Sequence, residues 1–264
     1  MNLKNKVIWI TGASSGIGKS LSIELSKLDT KLILSSRNSE TLTEVKQLCS
    51  NSDNVEILPL DLQEYSNMEE KVTKAISIFG KIDILVNNGG ISQRALAVDT
   101  ALEIDKRIMD INFMGTLALT KALLPYFISN NSGHYVTVTS IVGKVATPLR
   151  STYSASKHAL HGFFDSLRAE VHKHNIDVTL ILPGYVQTNV SMNAVTGDGS
   201  KQNSMDTATA NGIPSDVFAK KMIRVIRKRK NEAVIGGFKE VGSTFLKRIS
   251  PKLLAKLVRN VNVT

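Results

Sequence analysis

One cysteine, Cys49, in a chain of 264 residues has no intramolecular partner, which excludes an internal disulfide and points to a reducing compartment. Aromatic residues make up only 5% of the chain. The stacking platforms that single-stranded nucleic acids require are therefore missing, and no nucleic-acid partner is expected. Apolar runs are short and regularly interrupted, and none is read as long enough to cross a bilayer. Residues 1–6 pass directly into a strand-like run, so no signal peptide is expected and the cytoplasm is the default location. The spacing of His158 and His161 does not resemble a metal site backed by carboxylates, so no metal is expected.

Core-forming residues are plentiful. Hydrophobic side chains reach 42%, ample for a core in a length that sequential α/β folds often use as one unit. The net charge of +10 is unevenly placed. Residues 1–216 carry 20 Lys/Arg against 21 Asp/Glu, whereas residues 217–264 carry 13 against 2. The body is electrically ordinary, and a basic tail is read over about 236–264.

Apolar runs at 7–10, 32–34, 55–58, 82–86, 135–138, 178–182 and 233–235 alternate with helical patterns at 19–27, 40–49, 68–79, 102–127, 153–172 and 216–229. Strands apolar along their whole length imply a sheet covered on both faces, and therefore parallel strands joined by helices. Right-handed crossovers then give a three-layer, doubly wound α/β Rossmann fold on a seven-stranded parallel sheet, with its ligand crevice at the strands' carboxyl ends. A single domain over residues 1–264 is expected. Residues 187–215, rich in Asn, Thr, Ser, Gly and Asp, break the rhythm and are expected to form a lid over the mouth of the site.

Thr11-Gly12-Ala13-Ser14-Ser15-Gly16-Ile17-Gly18 follows the first apolar run. Gly12 suits a tight turn, Gly16 a close approach of backbone to a pyrophosphate, and Gly18 close packing of helix on sheet. The helix start, with Ser14, Ser15 and Ile17 beside it, would offer free N–H groups to anionic oxygens. The second run ends Leu34-Ser35-Ser36-Arg37, without the acid that binds the ribose 2′-OH of NAD. Ser36 and Arg37 suit a 2′-phosphate instead, so NADP(H) is expected over NAD(H). Asp61 and Leu62, after the third run, fall where an adenine would lie.

Tyr153 and Lys157 stand four apart on a helical stretch and share a face, with Ser140 thirteen residues upstream at a strand end. A tyrosine hydroxyl has a reference pKa of about 10, too high for an efficient base near neutrality. Lowering it by ~2–3 units requires about 3–4 kcal/mol of differential electrostatics. Lys157 and the positive ring of an oxidised nicotinamide are the expected source. Tyr153 would then protonate a carbonyl oxygen as hydride arrives at carbon, while Ser140 hydrogen-bonds the same oxygen. The competing reading is a catalytically idle dinucleotide-binding scaffold.

With these residues in this order, the sequence resembles the short-chain dehydrogenase/reductase family in its compact, one-domain branch. The resemblance runs over about residues 5–190 through the glycine segment, Asn87-Asn88-Gly89-Gly90, Asn112, Ser140, Tyr153, Lys157 and Pro183-Gly184-Tyr185-Val186-Gln187-Thr188. It implies that Asn112 holds a water relay to Lys157 and that Asn88 and Gly89, with Gly90 beside them, line the cofactor ribose. It also implies that Lys157, with Tyr153, meets the nicotinamide ribose, and that Val186 and Thr188 touch the carboxamide end beyond Pro183 and Gly184. Homodimers or homotetramers packed through the long helices are a further implication. Two departures are Gly90, where the family usually has Ala, and Thr139, where Ser is frequent.

The stretches 122–125, 153–159, 162–170 and 183–189 are similar to membrane-associated members that include steroid-type and acyl-dihydroxyacetone-phosphate reductases. That similarity implies an apolar or lipid-like carbonyl or alcohol substrate. Val190, Met192, Ala194, Val195 and Met205 would line a greasy pocket or serve as ordinary packing. Residues 250–259 open with a capping Ser250 and Pro251. Leu253, Leu254, Leu257 and Val258 share one face of the helix they start, with Lys252, Lys256 and Arg259 largely opposite. This helix would pack on its own domain, rest on anionic lipid headgroups, or steer a charged substrate.

Overall fold

The computed structural model describes residues 1–259 and 261; residues 260 and 262–264 of the expected tail lie outside the described residues. The first half runs β1 (Val7–Thr11), α1 (Gly16–Ser26), β2 (Lys31–Ser35), α2 (Ser39–Leu48), β3 (Val55–Ile57), α3 (Met68–Phe79) and β4 (Ile84–Asn87). It continues through α4 (Leu102–Met109), a π-helical turn (Asp110–Met114), α5 (Gly115–Ser129), β5 (Gly133–Val138), α6 (Ser151–Val171) and β6 (Ile176–Pro183). Then come β7 (Val186–Gln187), α7 (Thr207–Ala210), β8 (Ile213–Pro214), α8 (Ser215–Arg227), β9 (Glu232–Ile235), α9 (Phe238–Ile249) and α10 (Pro251–Val258).

Seven strands form one sheet in the order β3-β2-β1-β4-β5-β6-β9, all parallel. The winding reverses between β1 and β4, which opens a crevice beyond their carboxyl ends. Alternation along β1 shows why its residues are uniformly apolar. Ile8 and Ile10 enter the core under α1 and α8, while Val7 and Trp9 enter the opposite core with Leu119, Phe127 and Phe164. The helix α8 buries Phe218, Ala219, Met222, Ile223, Val225 and Ile226 along one side. Its opposite side is basic.

The single helix expected at 102–127 is interrupted by the π turn, which buries Ile111 and Asn112. Such turns recur at functional sites because the extra residue re-aims side chains. The π turn also joins the charged, amphipathic α4 to the apolar α5 in one 28-residue helical run, 102–129, which by length and composition alone is long and apolar enough to cross a membrane. This corrects the expectation that no run of that length exists. In this fold Leu119, Leu123 and Phe127 of that run are fully buried against the sheet.

The C-terminal helices are largely exposed. No residue of α9 is buried, and α10 buries only Leu254. Phe238 is 93% exposed and Ile249 82%, with Phe245 also open to solvent.

Two histidines lie in the core. His134 on β5 meets the Thr179 hydroxyl at 2.8 Å, and burial takes its pKa down to about 3. Burial likewise takes His161 on α6 to about 4, helped by the nearby Lys144 charge. Both remain neutral when folded and take up a proton near 6.5 when unfolded. The unfolded state therefore binds more protons below that pH, and stability falls on acidification. Each is expected to cost ~2 kcal/mol at pH 5 relative to pH 7. Urea unfolding at the two pH values checks this, with His134→Gln or His161→Gln reducing the difference.

Candidate active site

A cavity of about 1680 Å³ opens at the carboxyl ends of the strands. At one end it is walled by the turn between β1 and α1. Gly12 and Gly16 there have φ of 63° and 52°, a region open to glycine at little cost. A Cβ at Gly12 would fall 2.7 Å from Gly89 Cα, and one at Gly18 would fall 2.3 Å from the Gly12 carbonyl oxygen. Gly18 stands behind the cavity wall, where it lets α1 pack tightly, while Gly12, Ser14, Ser15, Gly16 and Ile17 line the space.

The Thr11 hydroxyl accepts from the backbone N–H groups of Asn88 and Gly89 at 3.1 and 3.0 Å. The Asn88 amide donates to the carbonyls of Thr11 and Gly12 at 3.0 and 3.1 Å. Asn88 therefore stitches the segment after β4 to the glycine turn. Asn87, behind it, donates to Thr120 Oγ1 at 3.1 Å. Ser15 caps α1 without a side-chain hydrogen bond, which leaves the first N–H groups of the helix facing the cavity. This cradle fits a dinucleotide pyrophosphate.

Ser36 and Arg37 line the cavity beyond β2, and Arg37 is exposed. Asn38 beside them is engaged in capping α2, accepting from the N–H groups of Glu40 and Thr41. Asp61 and Leu62 line the same end, and Asp61 accepts from the Gln63 N–H at 3.0 Å.

Ser140, Tyr153 and Lys157 line the other end, joined by Gly90, Pro183, Gly184, Val186 and Thr188. The Ser140 side chain lies beside the Tyr153 hydroxyl and favours its ionised form, and its hydroxyl accepts from the Val142 N–H at 3.3 Å. Lys157 is buried and donates to the Val138 carbonyl at 3.0 Å. Its ammonium lies 5.8 Å from the centre of the Tyr153 ring, and burial brings its pKa down to about 8. Asn112 stands behind the wall. It accepts from the Ile91 N–H at 2.8 Å and donates to the Ile91 carbonyl and Ser156 Oγ at 2.9 and 3.1 Å.

Tyr153 departs from expectation. Burial holds its hydroxyl above the ordinary tyrosine value, outweighing the opposing pull of Ser140, Arg150 and Arg94. The acidifying charges in the protein itself are thus two arginines, while the Lys157 ammonium is turned toward Val138.

Those arginines, with Gln93 and Asp206, are site residues that sequence reasoning missed. Gln93 accepts from the N–H groups of Thr152 and Tyr153 at 3.0 and 3.1 Å, which caps the first turn of α6. Arg94 and Arg150 line the cavity, and both are paired with Asp206. More than 50 residues separate consecutive members of this trio, so no local pattern signals it. Within the segment 187–215, Val190 and Val195 line the cavity. Ala194 is fully buried, in keeping with the packing alternative, whereas Met192 and Met205 lie off the wall and Met205 is exposed.

A family model for short chain dehydrogenase matches residues 6–199. The chain is 40% identical to a dehydrogenase/reductase SDR family protein 7-like from Drosophila melanogaster, over 95% of its own length and 78% of that protein. It belongs to the short-chain dehydrogenase (SDR) family. It is also 40% identical to dehydrogenase/reductase SDR family member 7B from Bos taurus, over 97% of its own length and 81% of that protein. An SDR from Burkholderia phymatum, solved in complex with NAD, shares the fold with a TM-score of 0.84 at 20% identity, over 96% of each chain. A short-chain dehydrogenase from Streptomyces avermitilis does so with a TM-score of 0.81 at 24% identity, over 97% of this chain and 96% of that one. The protein is accordingly an SDR oxidoreductase, of a family that binds NAD(H) or NADP(H), acts on small molecules and commonly oligomerises.

Proposed function

We propose that this SDR uses NADPH to reduce a ketone or aldehyde of an apolar or lipid-like substrate, or oxidises the matching alcohol in reverse. The observation that carries the reading is one cavity holding the Gly12–Gly16 cradle and Arg37 at one end and the hydroxyls of Ser140 and Tyr153 at the other. When bound, the nicotinamide supplies or takes up hydride. Tyr153 gives its proton to the substrate oxygen in reduction and recovers it in oxidation. Ser140 hydrogen-bonds that oxygen and fixes its position. Lys157 binds the nicotinamide ribose, and Asn112 positions the helix behind it through Ser156.

Ser14, Ser15 and Ile17 cradle the pyrophosphate with the glycines, and Ser36 and Arg37 hold the 2′-phosphate. Asp61 and Leu62 sit beside the adenine, Asn88, Gly89 and Gly90 beside the ribose, and Pro183, Gly184, Val186 and Thr188 beside the carboxamide. The chain works as one domain, with residues 187–215 as its lid and a homodimer or homotetramer as its assembly. The cavity extends to Phe238, Leu246, Leu254, Leu257 and Val258, which supports an apolar substrate over a sugar.

Titration with NADPH and NADH, followed by a carbonyl panel, tests the reading. Tighter NADPH binding and turnover of apolar carbonyls are expected, and a preference for NADH would overturn the assignment of Arg37. The outward apolar side of α9, flanked by Lys239, Lys247 and Arg248, favours an additional reading in which the tail rests on anionic lipid. Sedimentation with phosphatidylserine vesicles is expected to retain the protein and release a Phe245→Asp/Ile249→Asp variant; equal partitioning would remove this role.

A further inference from the structure

Three segments remote in sequence converge on a buried cluster beside Tyr153. Arg94, after β4, donates from Nε to Asp206 Oδ2 at 2.9 Å and reaches the same oxygen with a second nitrogen. Its remaining nitrogen donates to Ser92 Oγ at 2.8 Å and to the Gln93 carbonyl at 2.6 Å. Arg150, immediately before α6, approaches Asp206 Oδ2 at 3.5 Å and lies 5.9 Å from the centre of the Tyr185 ring. Asp206 belongs to the lid and is 1% exposed. Its other oxygen accepts from Gln202 Nε2 at 2.8 Å.

The cluster is asymmetric. The two guanidinium groups line the cavity, whereas the carboxylate stands behind them. Among the described residues both guanidinium groups approach the Asp206 carboxylate in a buried place, where charge is felt strongly. The backbone follows the same path, because the Arg94 N–H donates to the Val195 carbonyl of the lid at 2.9 Å and the Ala95 N–H to the Leu149 carbonyl at 3.1 Å. The residues that connect the lid to α6 are thus the ones flanking the catalytic helix's first turn.

We propose that Asp206 is a latch: when the lid seats, its carboxylate offsets the charges of Arg94 and Arg150 beside the Tyr153 hydroxyl, keeps that hydroxyl protonated and so couples lid closure to readiness for proton transfer. This inference rests on the proposed role of Tyr153. Arg94, Arg150 and Asp206 are positioning residues that act through it. Other groups facing that hydroxyl or its helix turn are Ser140 from the end of β5, Lys157 from the same helix, and Asp105 of α4, which accepts from the Thr152 hydroxyl. None of these would move with the lid.

The sign of the effect distinguishes the latch from simple scaffolding. Reduction requires a protonated tyrosine and falls as pH rises through its ionisation. Asp206→Asn removes the counter-charge, favours the phenolate and is expected to move that basic limb down by about one pH unit. Arg94→Gln removes a positive charge and is expected to move the limb up by a similar amount. Arg94→Lys should restore most of the wild-type profile, and the Arg94→Gln/Asp206→Asn pair should return close to it.

The test is the pH dependence of carbonyl reduction by full-length protein, with thermal melting of each variant to confirm folding. Where turnover is too slow, tyrosinate absorbance measured as the difference from Tyr153→Phe reports the same ionisation directly. Opposite shifts for Asp206→Asn and Arg94→Gln support the latch. Shifts of one sign in folded variants, or none, overturn it. Undiminished turnover in Tyr153→Phe would instead overturn the role of Tyr153 itself.

Discussion

Tyr153→Phe is expected to lower turnover by roughly 10²- to 10⁴-fold, the range in which a positioned proton donor contributes, while NADPH binding changes little. The hydroxyl is the only atom group removed. It lines the cavity beside Ser140 and sits on a helix turn pinned by Gln93. The ring keeps its place, so loss of rate with intact binding isolates the proton. Stopped-flow reduction with matched fluorescence titration of NADPH makes the comparison. Unchanged turnover across the carbonyl panel would favour the idle scaffold.

Arg37→Ser is expected to weaken NADPH binding by about 10- to 100-fold and leave NADH binding nearly unchanged. A hydrogen bond to a charged group is worth about 1.5–3 kcal/mol, and about 1.4 kcal/mol is tenfold in affinity. Ser36 remains to contact the phosphate, which limits the loss. Arg37 is exposed, so the difference between wild type and variant should shrink as salt rises. Arg37→Asp should go further and improve NADH binding, since it introduces a carboxylate that accepts from the ribose 2′-OH. Isothermal titration at two salt concentrations measures both effects. Equal losses for the two cofactors would place Arg37 outside the 2′-phosphate site.

Features carried by local spacing were legible beforehand. The glycine turn was readable because tight backbone packing leaves no room for a Cβ at Gly12 or Gly18. Tyr153 and Lys157 were readable because four residues make about one helical turn. The sheet was readable because strands buried on both faces are apolar throughout. What stayed hidden depends on contacts made across the chain. Arg94, Arg150 and Asp206 resemble solvated surface residues until three segments meet. The raised proton affinity of Tyr153 comes from burial, which its neighbours in sequence do not reveal. The helix at 102–127 was readable, but its membrane-crossing length stayed hidden because Glu103, Asp105, Lys106 and Arg107 make its first half charged and Pro125 interrupts its second.

The wide turn at 110–114 also fixes the phase between the two halves of its rod. Ile108 upstream and Leu119, Leu123 and Phe127 downstream all face the interior, and each residue added or removed between them swings one half by about 100° relative to the other. Length at this point is therefore as constrained as chemistry. A one-residue deletion in the turn would leave every side chain's identity outside it intact, yet it would carry either Asn112 away from Ile91 or the Leu119–Phe127 stripe away from the sheet.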